Sequence, residues 1–191
     1  MPVFNASTKI KELRRAVGKA GSGLSLALRR RFGRGRVTKE SLPMKKSEIM
    51  ERVRASHQKL TDALEGLSEE DGARKGLTSE WSIKDALSHI SAWEIEGARS
   101  VREIQAGTWK PRKLNQELID DFNARAVEER AGRSFAELRE EFDRAHNDME
   151  QVIASLPDEI DEKSPAYKFI EGVTFEHHAH HAAQIANYRN K

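Results

Sequence analysis

An all-α fold, a four-helix bundle with a long connection between its second and third helices, is predicted by three observations. Apolar residues recur at three- and four-residue spacing through four separate segments. Capping signals stand at the starts of two of those segments. Strand-like alternation of apolar and polar residues is absent throughout the 191 residues. The composition agrees: 34% charged and only 6% aromatic suits a helical protein better than a β-sandwich. No self-similarity at a fixed period is present, which argues against a solenoid.

Over 45–67, Ile49, Val53, Leu60, Leu64 and Leu67 mark the first helix. Residues 78–82 interrupt. Ser82 then has the character of an N-cap with Asp85 three residues later, and a second helix runs to about 106, stopped by Gly107 and Pro111. Its stripe includes Ile83, Leu87, Ile90, Trp93, Gly97 and Val101. Residues 114–131 form a shorter amphipathic segment with Leu118, Ile119, Phe122 and Ala126. Ser134 and Glu137 make a second capping box, opening a helix whose seam (Phe135, Leu138, Phe142, Ala145, Met149, Val152, Leu156) lasts over five turns until Pro157. A last helix is expected over 173–188. Four long helices with one long connection make a bundle.

The net charge of +2 conceals an asymmetry. Residues 1–43 hold eleven Lys and Arg against two acids, a charge of +9, whereas 44–191 carry −7. The chain therefore divides into a basic N-terminal extension, 1–43, and a bundle domain, 44–191. The extension reads as a basic arm for nucleic acid, anionic lipid or a targeting receptor, its 24–36 stretch being Arg-rich and acid-poor as in an organelle transit peptide. The opposing reading is a flexible tail, or sequence preceding a true start at Met44. The acidic bundle offers no broad phosphate-binding face, so nucleic acid would engage the arm alone. No apolar run reaches the roughly 18 residues of a membrane span, and the expected location is cytoplasmic. The absence of cysteine excludes a disulfide scaffold, a thiol nucleophile and Cys-ligated zinc or iron–sulfur centres. Any metal must be held by His, Asp or Glu.

The histidines are where chemistry concentrates. Four fall in Glu176-His177-His178-Ala179-His180-His181, and His89 lies midway along the second helix. Side chains four apart share a helix face, so His181 and either His177 or its neighbour His178 follow the seam that Ile185 and Tyr188 continue, while His180 points away from it. His89 stands at the margin of its stripe, between Ala86 and Trp93. An imidazole there joined to two from the last helix would make three protein ligands with room for a fourth, the arrangement of catalytic metal sites. The competing reading is packed, hydrogen-bonded core histidines. His57 reads as a core-margin residue. Trp93 is a candidate pocket wall or a core residue, with His178 and Tyr188 as further pocket candidates. Trp81 and Trp109 line a mouth or cover the bundle's end. Glu94 and Glu176 are candidate proton shuttles or partners of the ligands, or simply solvated charges. Phosphate loops, GxSxG and HExxH are absent.

Residues 81–94, Trp-Ser-Ile-Lys-Asp-Ala-Leu-Ser-His-Ile-Ser-Ala-Trp-Glu, resemble the W-S-x-x-[DE]-x-x-x-H-[LI]-x-x-W-[ED] second helix of the DinB-like superfamily of bacterial four-helix bundles. Residues 174–185 are similar to its last-helix H-x-x-x-H-x-x-Q-I motif, and the stretch from Leu114 to Glu159 resembles the ClbS/DfsB branch. The resemblance covers about 44–189 and leaves out the basic arm. It implies His89, His177 and His181 as metal-site residues, choosing His177 where helix geometry alone left His178 open. It further implies a zinc or nickel ion, a low-molecular-weight thiol such as mycothiol or bacillithiol as cosubstrate in some relatives, and, for the ClbS/DfsB branch, protection against a genotoxic natural product by opening its cyclopropane.

The resulting expectation is a divalent-metal-dependent hydrolase or thiol-dependent transferase acting on an electrophilic or xenobiotic small molecule, in detoxification or self-resistance, as a monomer or homodimer. The alternative is a non-catalytic bundle that sequesters a small molecule, with or without metal. A third reading makes nucleic-acid binding by the arm primary, with the bundle as a dimerisation unit.

Overall fold

A computed structural model describes residues 43–111 and 115–190. The basic arm, but for Pro43, lies outside the described residues, as does Leu114 at the start of the shorter amphipathic segment. The elements are β1 (Met44–Lys45), α1 (Lys46–Leu64), α2 (Glu69–Ala73), α3 (Ile83–Gln105), α4 (Gln116–Glu128), α5 (Phe135–Ala154), β2 (Glu159–Ile160), α6 (Pro165–Val173) and α7 (Phe175–Arg189).

Both expected capping boxes form. Ser82 Oγ accepts from Asp85 N at 3.2 Å while Asp85 Oδ2 accepts from Ser82 N at 2.8 Å. Ser134 and Glu137 repeat the exchange at 3.2 and 2.7 Å. Each box satisfies backbone N–H groups that have no partner inside the helix. Helix α3 stops where Gly107 adopts a φ of +68°, a left-handed conformation that glycine reaches without steric strain. Helix α1 ends at Leu64, short of Leu67, because Gly66 at φ +74° turns the chain.

The last helix forms as expected, as α7, but a helix the sequence did not announce, α6, precedes it, and the two meet at Thr174, whose φ of −112° and ψ of −100° are not helical. Thr174 is fully buried and its hydroxyl donates to the Ile170 carbonyl at 2.6 Å, a back-bond that competes with regular helix. The break lets α6 pack on α3 while α7 packs on α1. Close approach of α6 depends on Gly97: a Cβ there would meet Val173 Cγ2 at 2.5 Å. The two strands, pairing antiparallel with Met44 opposite Ile160, are too short to have shown an alternating pattern.

The core is split. Ile49, Val53, Ala98, Val101, Met149 and Ile170 belong to one apolar cluster, and Leu60, Leu64, Leu87, Ile90, Phe142 and Ile185 to another. Between them every bundle helix contributes buried polar groups: Ser56 from α1, Ser91 and Glu94 from α3, His146 from α5, His178 and His181 from α7. This polar waist is where the histidines gather.

Candidate metal centre

His89 stands two turns into α3, and His177 and His181 occupy successive turns at the start of α7, just past the break at Thr174. The 83–105 helix carries its Leu87/Ile90 face inward, which brings His89 to the edge facing α7. Its Nε2 lies 2.8 Å from His177 Nε2, and His181 Nε2 lies 3.1 Å from the same atom. One ligand atom from each of the three falls within 4.8 Å of the other two, the sole such His, Cys, Asp or Glu grouping of three or more among the described residues. His89 and His181 are buried and His177 half-buried.

The far side of each ring determines what the near side can do. His89 Nδ1 is 2.9 Å from Asn123 Oδ1, and His181 Nδ1 is 2.9 Å from Gln184 Oε1. An amide oxygen only accepts, so both Nδ1 atoms carry protons, and in a neutral imidazole that leaves Nε2 with a bare lone pair. Both lone pairs face His177 Nε2. His177 Nδ1 is buried without a well-aligned partner, although the Val173 carbonyl favours its protonated form. With its proton on Nδ1, His177 presents a third lone pair to the same space. Three converging acceptors in a buried site repel one another unless a cation lies between them.

Burial pushes all three imidazoles well below their ordinary range, and each is pushed further by another of the three: His181 acts on His89, His89 on His177 and His177 on His181. Neutral imidazole is the form that binds metal. Tetrahedral ligands of Zn²⁺ stand about 3.3–3.4 Å apart, so the present spacings are short by about 0.2–0.6 Å. A divalent ion therefore fits the donor set with a small outward adjustment of the rings.

The remaining candidates fall in different places. Trp93 packs on Phe122 with ring centroids 4.5 Å apart and donates its indole N–H to Asn123 Oδ1 at 2.9 Å. Trp81 stands closer to the triad, its ring 4.9 Å from that of His89. Trp109 packs on Phe169 instead. Tyr188 is half-buried against the Leu60–Ile185 cluster, beside Gly76. His178 is turned away from the triad because adjacent helical residues diverge by about 100°. It is fully buried, with Nδ1 3.4 Å from Ser56 Oγ and Nε2 3.3 Å from Glu94 Oε2. His180 is half-buried rather than solvated, its ring 5.1 Å from that of His181. Glu176 is half-buried in the first turn of α7.

Glu94 is not a solvated charge but the centre of the waist. Its Oε1 lies 3.2 Å from His146 Nδ1, and His146 Nε2 lies 3.2 Å from Glu150 Oε1. Arg54 grips Glu150 through two hydrogen bonds of 2.9 and 2.7 Å. Burial alone would raise the Glu94 carboxyl, but His178 and His146 outweigh it and hold it below its ordinary value. His57 stacks on His146 with centroids 3.8 Å apart, and burial followed by His146 lowers it to about 4.

Sequence reasoning passed over His146 and Asn123, yet both carried a signal. His146 falls four residues after Phe142 and three before Met149, on the apolar seam of α5, and Asn123 falls between Ile119 and Ala126 on the buried face of α4. A polar residue in the middle of an apolar stripe is a placed residue more often than an accident.

Comparison with known proteins gives two positive results. The family model described as the mycothiol maleylpyruvate isomerase N-terminal domain matches residues 53–183. Among solved structures, the chain is similar to a protein from Streptococcus pneumoniae at 13% identity and a TM-score of 0.65, over 80% of this chain and 94% of that one. It is similar to DfsB, described as a sibling lethal factor precursor, at 14% identity and a TM-score of 0.66, over 77% and 96% respectively. A protein from Escherichia coli UTI89 gives 15% identity, a TM-score of 0.64, and coverage of 78% and 95%. At such identities the likeness is one of fold. No curated protein sequence matches the chain.

Proposed function

The chain belongs to the mycothiol maleylpyruvate isomerase N-terminal domain family, within the DinB-like superfamily, and from that premise we propose that it is a divalent-metal enzyme acting on an electrophilic or xenobiotic small molecule. His89, His177 and His181 hold the ion, Zn²⁺ or Ni²⁺, through their Nε2 atoms. The observation that carries this reading is the set of three Nε2 atoms turned towards one another in a buried site, two of them with their protons directed outward to Asn123 and Gln184. When bound, the ion supplies Lewis-acid polarisation and a fixed positive charge that favours an anionic nucleophile. Hydrolysis and thiol transfer, with mycothiol or a related thiol as cosubstrate, are the two reaction classes this chemistry serves. The family description, which names a mycothiol-dependent isomerase, supports a thiol cosubstrate, and a detoxification or self-resistance role is the setting we propose for it.

The chain's own residues hold and orient. Asn123 and Gln184 fix the faces of His89 and His181, and Trp81, against His89, shields that side of the centre from water. No helix among the described residues is long and apolar enough to cross a membrane. The competing reading is a sequestering module, and one experiment separates the two. Protein purified without a histidine tag should contain about one equivalent of zinc or nickel per chain by elemental analysis, and His181→Ala should lose it. The metal-replete wild type should consume bacillithiol, mycothiol or water together with a panel of electrophiles such as epoxides and cyclopropanes, where His181→Ala does not. Stoichiometric metal without turnover would favour sequestration; no metal would overturn the reading.

A further inference from the structure

Helix α4 is not one of the four bundle members, yet it sends one side chain into the metal centre. Its buried residues are Ile119 and Ala126, and Asn123 lies on the same face, four residues after the first and three before the second. Asn123 Oδ1 is 2.9 Å from two nitrogens at once, Trp93 Nε1 and His89 Nδ1.

The two contacts have unequal status. An indole N–H can only donate, so the amide atom facing Trp93 must be oxygen. That removes the ambiguity between oxygen and nitrogen that an amide side chain otherwise carries. With its oxygen so fixed, Asn123 can bond to His89 only if His89 Nδ1 carries the proton. The bare nitrogen is then Nε2, the atom 2.8 Å from His177 Nε2. Constraint therefore runs from Trp93 through Asn123 to His89, starting from a donor whose chemistry allows no alternative.

The other tautomer has a definite consequence. A proton on His89 Nε2 would be donated to His177 Nε2 across those 2.8 Å, pairing the two histidines with each other and closing the site to a cation. Buried polar groups settle into whichever arrangement satisfies them. Within this pair of rings, Asn123 is the group that makes donation from His89 to His177 unfavourable.

We propose that Asn123 is a positioning residue that holds His89 in its Nδ1–H tautomer from the connecting helix, preventing His89 from donating to His177 and keeping the His89 Nε2 lone pair available to a divalent cation. This rests on the metal-binding reading above and deepens it. Gln184 makes the corresponding bond to His181, but from three residues further along the same helix, where no tertiary packing is required. Asn123 is different in kind because it ties metal affinity to the docking of α4 on α3. Phe122 packs on Trp93, and Arg130 joins the end of α4 to Glu141 of α5 through bonds of 3.0–3.1 Å, so the helix is held at both points around Asn123. Linkage makes the coupling reciprocal: whatever the docked helix adds to affinity, a bound ion returns to docking.

The test compares wild type, Asn123→Leu, Asn123→Asp and Trp93→Phe in two measurements. Zinc affinity is read by competition with a chromophoric chelator, and the His89 tautomer by nitrogen-15 NMR of the metal-free imidazoles. Asn123→Leu should lower zinc affinity about 10–100-fold and move His89 away from the Nδ1–H form. Asn123→Asp keeps an acceptor oxygen and should retain both the tautomer and an affinity within about threefold of wild type. Trp93→Phe, which frees the amide to turn, should fall between them. The proposal is overturned if Asn123→Leu leaves His89 in the Nδ1–H form, or if Asn123→Asp and Asn123→Leu lose affinity equally with the tautomer unmoved. Should wild type itself take up no zinc, the metal reading falls on its own, and the tautomer measurement on metal-free protein still decides the role of Asn123. Should Asn123→Leu fail to fold, the other two variants carry the same comparison.

Discussion

Glu94 has no exposure to solvent and bridges two imidazoles, His146 and His178, at 3.2 and 3.3 Å. Removing one partner from a buried ionic cluster leaves the others desolvated and unpaired, and such losses run at about 3–5 kcal/mol. Glu94→Ala is accordingly expected to destabilise the fold by about that amount in urea unfolding, and Glu94→Gln by less, because an amide still accepts a hydrogen bond from one ring. A change of under about 0.5 kcal/mol in Glu94→Ala would mean that the waist contributes nothing. At this scale the sequence was half legible. Triad geometry followed from four-residue spacing and a motif resemblance, which together named the three histidines that the fold brings together. The burial of Glu94 did not follow, since it stands next to Trp93 at the edge of the apolar stripe and a helical position cannot reveal which neighbour will cover it. His178 was equally obscure: one residue of difference on α7 separates a ring facing His89 from one facing Glu94.

At the scale of elements, the close crossing of α3 and α6 is the feature most exposed to test. Gly97 leaves no room for a methyl group, with Val173 Cγ2 2.5 Å and Met149 Cε 3.2 Å from where it would sit. Gly97→Ala gains helix propensity of about 1 kcal/mol but overpacks the contact, which costs about 1–3 kcal/mol and more where backbone must shift. The expected net effect is a lower unfolding midpoint, together with a shift of α6; an unchanged or raised midpoint would show that the crossing yields easily. Helix starts were legible because capping boxes are local, as Ser82 with Asp85 and Ser134 with Glu137 demonstrate. The last helix was legible to within two residues, its expected start at 173 standing against Phe175, but the sharp break at Thr174 that separates it from a preceding helix was not, because such a break forms only where tertiary packing rewards it. Helix α6 was missed for the same reason, its Tyr167 and Ile170 facing a core whose other walls come from distant parts of the chain.

The whole molecule is an apolar bundle divided by a titratable layer, and that division predicts its response to acid. Burial lowers His57 to about 4, and His89, His177, His180 and His181 are lowered as well. An unfolded histidine takes up a proton near pH 6.5, whereas these do so only at lower pH when folded. Between about pH 6.5 and about pH 4 the unfolded chain therefore binds more protons, and stability rises with pH. The contribution is complete above about 6.5 and is lost as pH falls through the folded values. Denaturant midpoints of the metal-free protein should accordingly drop steadily from about pH 7 to about pH 4; a flat profile would contradict the burial of this layer. The all-α class and the bundle were legible throughout from periodicity alone. Their division by a polar waist was not, because its members come from four helices far apart in the chain, and His57, Glu94 and His146 each read individually as a residue at a seam or its margin.

The central claim is that three imidazoles from α3 and α7 converge as ligands. X-ray absorption at the zinc edge of the loaded wild-type protein addresses it most directly. Three histidine nitrogens at about 2.0–2.1 Å, falling to two in His89→Ala, is the predicted result; a spectrum of light scatterers without imidazole features, or one unchanged by His89→Ala, would contradict it.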